Sequence, residues 1–442
     1  MRTLVGVVVA ALVSGCQCGG GGDGDGGTDG GRRDAGGTND AFEIITLDAD
    51  GGEPTWLAMA IEPTTRRIGV AYYAPRGTMI NPGVPDYDLK YLEWNDGTLT
   101  APQTIRYVQR KVGLSLQFQP TSREPAIAFL GGDDTFVPGM SIFWFQSDAV
   151  LATRNGATWT QTTVAQNSND VDCGNPVSNN GFLVGLWPAL AYDGAGNMVF
   201  VWRDGHDTTN MAWYGSDVES AEGTLTNFTR RCVNQGGNGG VDGKPAWGGR
   251  NQLAIGVNGE PALVYDRVQS GADNAGIQVW FQKRVGTSWT LAQRILDTND
   301  TTTGASIAYD STEGYAVAAV DAPSGGLRYV SSADGVTWNA PDEVFGSGSG
   351  GWYPSLAIDP ATHDPHIAYY ICSPRDGVPA TSCQASDDEL RVAGRTPGGW
   401  NSVLVDKEGG WNPKLGFFAD GRRVIVYRDP RSGAVKLALE RR

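Results

Sequence analysis

One pattern constrains this chain more than any other. A short apolar run, a turn rich in Asp, Pro, Gly or Thr, and a second apolar run recur seven times. The copies are LAMAIEPTTRRIGVAYY from Leu57, LSLQFQPTSREPAIAFL from Leu114, PALAYDGAGNMVFVWRDG from Pro188, NQLAIGVNGEPALVYDR from Asn251, ASIAYDSTEGYAVAAVDA from Ala305, PSLAIDPATHDPHIAYY from Pro354 and PKLGFFADGRRVIVYRD from Pro413. They lie about 50 to 75 residues apart, which is the periodicity of a tandem array. Composition and spacing make each copy a β-hairpin.

A third strand is expected in LKYLEW, SIFWFQ, IQVWFQKR, LRYVSS, LRVAGR and VKLALE. A fourth, often opened by Trp, is expected in TWTQTTVAQ from Thr158, SWTLAQRILD from Ser288, TWNAPDEVF from Thr337 and GWNSVLVD from Gly399. Four antiparallel strands per unit make the blade of a β-propeller. The side-chain pattern agrees. Leu356 and Ile358 point one way, Ser355 and Ala357 the other, and neither set is charged. A sheet with one wet face would alternate apolar with polar, so both faces are buried, as in sheets stacked around an axis. The small Ala and Ser side chains suit the crowded innermost strand. Sandwiches need about 100 residues per unit and β-helices much shorter coils, so both fit the spacing poorly. The expected fold is all-β, a seven-bladed β-propeller over residues 41–442. Its seventh unit stops after three strands, and FEIITLD, Phe42 to Asp48, has the look of a fourth strand. Pairing there in the last blade closes the ring and removes an exposed edge.

With 62 glycines and 14 tryptophans in 442 residues, one repetitive β domain is favoured over several unlike ones. The formal net charge of −15, with no basic stripe, argues against a nucleic-acid partner and against adhesion to an anionic bilayer. The chain begins MRTLVGVVVAALVSGCQCGG: one Arg, then an apolar run from Leu4 to Val13 that is shorter than the roughly 20 residues of a membrane span. Residues 1–15 therefore read as a signal peptide and the protein as exported. VSGC, Val13 to Cys16, resembles the bacterial lipobox. That resemblance implies cleavage before Cys16, acylation of its thiol and, with Gln17 rather than Asp following, retention at the outer membrane. Residues 16–40 carry almost no apolar side chains and read as a Gly/Asp-rich tether reaching about 25–30 Å. The membrane is met through the lipid alone, and the protein is expected to be a monomer.

Six cysteines in an exported chain form a redox framework. With Cys16 lipidated, proximity favours Cys372 with Cys383 and Cys173 with Cys232, one of three possible connectivities. Cys18 is left free or joined to another molecule. No Cys-x-x-Cys, neighbouring His pair, P-loop or Ser-His-Asp order is present, so neither a metal nor a cofactor is expected.

Of the propeller's two faces, one carries the hairpin turns. The other carries the blade-to-blade links and the loops after each second strand, the usual place for function. On that face Trp187, Trp352, Tyr353 and Trp411 stand just before first strands. Tyr73, Arg76, Arg203, Asp204, Asp266, Arg267, Arg375 beside Asp376, Arg428 and Asp429 follow second strands. Aromatics beside charged groups suit a sugar, whose apolar face stacks while its hydroxyls find charged partners. Equally, the tryptophans plug the axis and the Arg–Asp neighbours are loop ion pairs. Of the three histidines, only His206 falls on this face.

SSADGVTW, Ser331 to Trp338, resembles the Asp-box of the sialidase-like propellers, in which that turn between third and fourth strands is structural. TRNGATW and KRVGTSW occupy the same place without the Asp. Catalysis in that family requires an arginine triad, a Tyr with a Glu partner and an acidic residue, on a six-bladed ring opened by Arg-Ile-Pro. Here there are seven units and no Arg-Ile-Pro, and the arginines available to a triad are Arg76, Arg203, Arg267, Arg375 and Arg428. The resemblance supports the fold more than the chemistry. The expected function is a non-catalytic, lipid-anchored propeller binding a glycan or an envelope protein; the alternative is a sialidase-like glycoside hydrolase or a polysaccharide lyase.

Overall fold

The seven hairpins become seven antiparallel sheets, each running from an inner first strand to an outer fourth. The structure, a computed structural model, describes residues 41–52, 56–81, 84–132, 146–166, 183–205, 217–236, 246–268, 278–297, 304–321, 326–346, 350–371, 389–407 and 409–442. First and second strands of the blades are, in order, Leu57–Ile61 with Ile68–Asn81, Ser115–Phe118 with Pro125–Gly131, Leu183–Tyr192 with Met198–Gly205, Ala246–Ile255 with Pro261–Val268, Ala305–Asp310 with Gly314–Asp321, Gly350–Ile358 with Pro365–Ile371, and Trp411–Phe417 with Arg423–Arg428. Each first strand touches those of the blades on either side, and blade 1 touches both blade 2 and blade 7. The ring is closed.

Closure happens as the sequence suggests. Phe42–Asp48 pairs antiparallel with Val435–Glu440, Phe42 opposite Glu440 and Ile45 opposite Leu437, and becomes the fourth strand of blade 7. Phe42 and Leu47 are each 3% exposed. Both faces of a blade are also buried. In blade 1, Val70 and Tyr72 pack toward blade 7, whereas Ala71 and Tyr73 pack toward blade 2.

One third strand differs from expectation, and another carries none of the expected signal. In blade 2 the strand is Asp148–Asn155, not SIFWFQ, whose first five residues lie outside the described residues. Aromatic β-propensity made SIFWFQ attractive. The pairing of Ala152 with Ile127 and of Val150 with Phe129 instead selects the segment that runs directly into the Gly156 turn. In blade 3 the third strand is DVESAEGT, Asp217–Thr224, whose Glu219 and Glu222 hide its apolar alternation. The expected fourth strand from Thr337 is reduced to Asp342–Phe345, and that of blade 1 is broken between Leu99 and Gln103. Pro341 and Pro102, which cannot donate to a ladder, stand at those breaks.

Three repeated contacts fasten blade to blade. The hydroxyls of Ser115, Ser306 and Ser355 on first strands accept the N–H of Leu190, Leu356 and Leu415 on the next first strand, at 3.0, 3.0 and 2.9 Å. Trp159, Trp338 and Trp400, near or on fourth strands, set their rings edge-on against Tyr91, Phe281 and Tyr329 of the preceding blade, 5.0–5.1 Å between centroids. Near the hairpin turns, ion pairs cross the seams: Arg154 to Glu93 at 2.8 Å, Arg284 to Glu222, Arg395 to Glu313 at 2.5 Å and Arg66 to Asp420 at 2.5 Å. The turn from Ser332 to Trp338 is held by Asp334 Oδ1, which accepts the N–H of Val336 and Thr337, and by Ser332 Oγ, which accepts that of Gly335.

Because Phe42–Asp48 supplies the last blade's outer strand, Leu47→Ala is expected to cost about 2–5 kcal/mol in urea unfolding, the range for a buried Leu. Ile44→Ala, at a position 39% exposed, should cost far less. Equal effects would mean that the strand is not seated as described.

Candidate functional site

The loop-rich face is organised by one position repeated in every blade. It immediately precedes the regular part of the first strand, and from blade 1 to blade 7 it holds Trp56, Gly113, Trp187, Arg250, Gly304, Tyr353 and Asn412. In six of the seven the backbone is left-handed: Gly113 at φ 71°, Trp187 at 51°, Arg250 at 48°, Gly304 at 76°, Tyr353 at 54° and Asn412 at 51°. In the four non-glycine cases the hairpin register slips at this point, for example between Leu186 and Ala189 and between Trp352 and Ser355. A left-handed non-glycine residue costs about 1–2 kcal/mol, and strain of this kind concentrates at functional sites. The bulge turns these side chains toward the axis.

There they meet across the ring. Trp56 lies edge-on to Trp187, 5.0 Å between centroids, although blade 2 stands between their blades. Gly113 makes that possible, because a Cβ there would lie 2.8 Å from the Trp187 Cα. Trp56 also reaches Tyr353 at 6.1 Å; Tyr353 contacts Trp411 at 4.8 Å, and Trp411 contacts Tyr370 at 5.6 Å. The Arg250 guanidinium sits over the Trp187 ring at 5.0 Å. Trp56, Trp187, Tyr353 and Trp411 all remain partly exposed. They form an aromatic crescent over half of the mouth.

Beside and below the crescent is a cavity of about 50 Å³ lined by Trp56, Arg250, Gln252, Ser306, Tyr353, Ser355, Asn412 and Lys414, among others. Gly304 leaves it open, since a Cβ there would meet the Arg250 side chain at 2.8 Å. Lys414 occupies, in blade 7, the position of the clasping serines Ser115, Ser306 and Ser355. Enclosure by protein lowers its ammonium pKa from 10.5 to about 8. Its side chain is nonetheless partly accessible, because the cavity itself admits water.

Of the sequence-predicted aromatics, Trp187 and Tyr353 line the axis and Trp411 buttresses Tyr353. Trp352, one residue earlier in the register than Tyr353, is 4% exposed and packs in the core between blades 5 and 6. Among the charged residues, Arg203, Asp204 and Asp266 gather near Arg250. Arg250 Nη1 lies 3.4 Å from Asp266 Oδ2. Arg203 is 8% exposed, and its pKa falls to about 10 through burial and the nearby Arg250, against the pull of Asp204. The others do not join them. The Tyr73 hydroxyl donates to the Gly113 carbonyl at 2.9 Å. Arg76 is exposed, stacked over Tyr107 at 5.2 Å and 3.8 Å from Asp88. Arg428 is fully buried and donates to the carbonyls of Tyr73 and Gly433, strapping blade 7 to blade 1. Asp429 pairs with Lys436 at 2.8 Å, and Arg267 is half-buried on its strand. Cys232 is disulfide-bonded. Arg375, Asp376, His206, Cys16, Cys18, Cys173, Cys372 and Cys383 lie outside the described residues. Trp56, Arg250, Gln252, Asn412 and Lys414 were not anticipated.

This is a seven-bladed β-propeller with an aromatic, donor-rich axial mouth. No family model and no curated protein sequence matches the chain. Among solved structures it is similar to a polysaccharide lyase, an ulvan lyase determined free and with a saccharide bound. The TM-scores are 0.57 and 0.56 at 13% identity, covering 90% of this chain and 96% of that one. It also matches an alpha-L-arabinanase of Penicillium chrysogenum, with a TM-score of 0.48 at 13% identity over 74% of this chain and 93% of that one. At such identity the first likeness concerns the fold.

The depressed Lys414 pKa has a definite sign. Below about pH 8 the lysine is charged in both folded and unfolded states, and the folded state bears the whole desolvation penalty. Between about 8 and 10.5 the unfolded chain binds more protons, so stability rises with pH across that window. In gluconate buffer, Lys414→Met should therefore stabilise the fold at pH 7 by up to about 3 kcal/mol, from 1.36 kcal/mol per pKa unit. The gain should vanish by pH 10.5 in urea titrations. A gain that does not change with pH would remove Lys414 as its source.

Proposed function

We propose that this chain is an exported, lipid-anchored, non-catalytic envelope propeller that binds a glycan on its axial mouth. The observation that carries the reading is the crescent of Trp56, Trp187, Tyr353 and Trp411, partly exposed and strained into place around the axis. A sugar ring offers an apolar face to such rings, while its hydroxyls find a donor in Arg250, which the buried Asp266 holds in place. A cavity of about 50 Å³ is too small to admit a sugar, so the saccharide lies across the mouth. Similarity in fold to an ulvan lyase supports a saccharide ligand. Anchoring through Cys16, the Gly/Asp-rich tether, outer-membrane retention, a monomeric state and the Cys173–Cys232 and Cys372–Cys383 pairings belong to the same proposal, on the sequence grounds given above.

That same fold similarity favours a second reading, cleavage of a polysaccharide rather than binding alone. Assay of the purified chain on a panel of acidic and neutral polysaccharides separates the two, since steady product formation that is lost in an Arg203 or Asp266 variant would establish the enzyme.

Glycan-array binding followed by titration tests the leading reading. Trp187→Ala and Tyr353→Ala should each weaken binding at least about tenfold, as for buried aromatic anchors. Trp352→Phe, in the core, should leave binding intact. Retention of full affinity by both axial variants would refute the site, and saturable capture of an envelope protein without glycan would replace the ligand.

A further inference from the structure

The cavity has an unbalanced charge. Two of its lining residues, Arg250 and Lys414, are cations, and none is a carboxylate. Arg250 is answered from behind by Asp266. Lys414 has no carboxylate within ion-pair distance among the described residues. The remaining polar groups are mostly donors. Asn412 is 2% exposed, and its Nδ2 has no hydrogen-bond partner. Ser306 and Ser355 accept backbone N–H groups from Leu356 and Leu415, which leaves their own hydroxyl protons to give. Gln252 adds an amide. Around Lys414 the facing groups from each neighbouring element are thus Trp56 from blade 1, Arg250 and Gln252 from blade 4, Ser306 from blade 5, and Tyr353 and Ser355 from blade 6. An enclosed ammonium with no counter-charge is costly, and convergent unmatched donors compound the cost. A chain of net charge −15 has acidic groups to spare, yet the axis is lined with the opposite sign.

We propose that the axial cavity is a binding site for one small anion, between a halide and a short carboxylate in size, held by the Lys414 ammonium, the Asn412 amide and the hydroxyls of Ser306 and Ser355. About 50 Å³ corresponds to three to five water positions, at roughly 10–15 Å³ for each. That suits chloride, bromide, nitrate, formate or acetate and excludes anything as large as a sugar. The site stands independently of the glycan reading, because none of its four donors belongs to the aromatic crescent and a free ion suffices to fill it.

Thermal unfolding and calorimetry of the full chain test this at constant ionic strength, with sodium gluconate as the bulky reference. At pH 7, chloride, nitrate, formate and acetate should each raise Tm saturably above the gluconate value. Above about pH 8, where Lys414 loses its proton, the apparent Kd should rise about tenfold per pH unit. Lys414→Met should abolish the spread between anions. Asn412→Gly, which suits the left-handed backbone at φ 51°, should fold and should weaken binding several-fold. In crystals soaked with bromide, the anomalous signal should fall within hydrogen-bonding reach of Lys414 Nζ. One Tm for all anions, bromide confined to the outer surface, or an anion response unchanged in Asn412→Gly and in any folded Lys414→Met would overturn the site.

Discussion

The contact between neighbouring innermost strands is the constraint from which the rest of the molecule follows. Seven first strands converge on one axis, and at three seams they approach closely enough for a serine hydroxyl to reach a backbone N–H of the next. Only small side chains permit that approach, which is why Ala58, Ser115, Ala189, Ser306 and Ser355 occupy the facing positions. The two exceptions, Gln252 and Lys414, are too long to clasp in this way, and both line the axial cavity. Tight closure elsewhere and open space here are two results of the same packing rule.

Much of this was legible in the sequence, because a tandem repeat writes its architecture seven times. The hairpins and the closing strand Phe42–Asp48 follow from periodicity alone, since burial on both faces leaves a pattern that solvent-facing sheets do not have. The third strands of blades 2 and 3 were harder. Register there is set by the partner strand rather than by local propensity, and SIFWFQ looks more strand-like than the segment that pairs. The site was legible by half. Trp187 and Tyr353 announced themselves as aromatics before first strands, but Trp352 looked equivalent and is not, because a shift of one residue sends a side chain to the opposite face. Arg428 looked like a loop ligand and proves to be a strap between blades. Lys414 passed unnoticed because a single lysine in an apolar strand resembles a solvated edge. Only its alignment with three serines, and then its enclosure, give it meaning.

The two faces divide the labour of the ring. At the hairpin-turn end, charge is spent on seams, with carboxylates such as Glu93, Glu222 and Glu313 answered by arginines from the adjoining blade. Pairs of this kind are weak singly and screened by salt; here they supplement seams already fixed by aromatic contacts. At the other end, left-handed backbone falls within the first strands themselves rather than in turns. Four non-glycine residues are held left-handed around the axis, and their cost is met by the sheets behind them.

Six of the seven axial positions sit, each in its own blade, where the chain has already taken the shape that glycine prefers. Exchanging one of the non-glycine side chains requires no new path for the backbone, whereas Gly113 and Gly304 are fixed by Trp187 and Arg250 of the blade beside them. Descendants of such a ring inherit something like a combination lock, in which the larger tumblers can be exchanged while the cylinder stays whole.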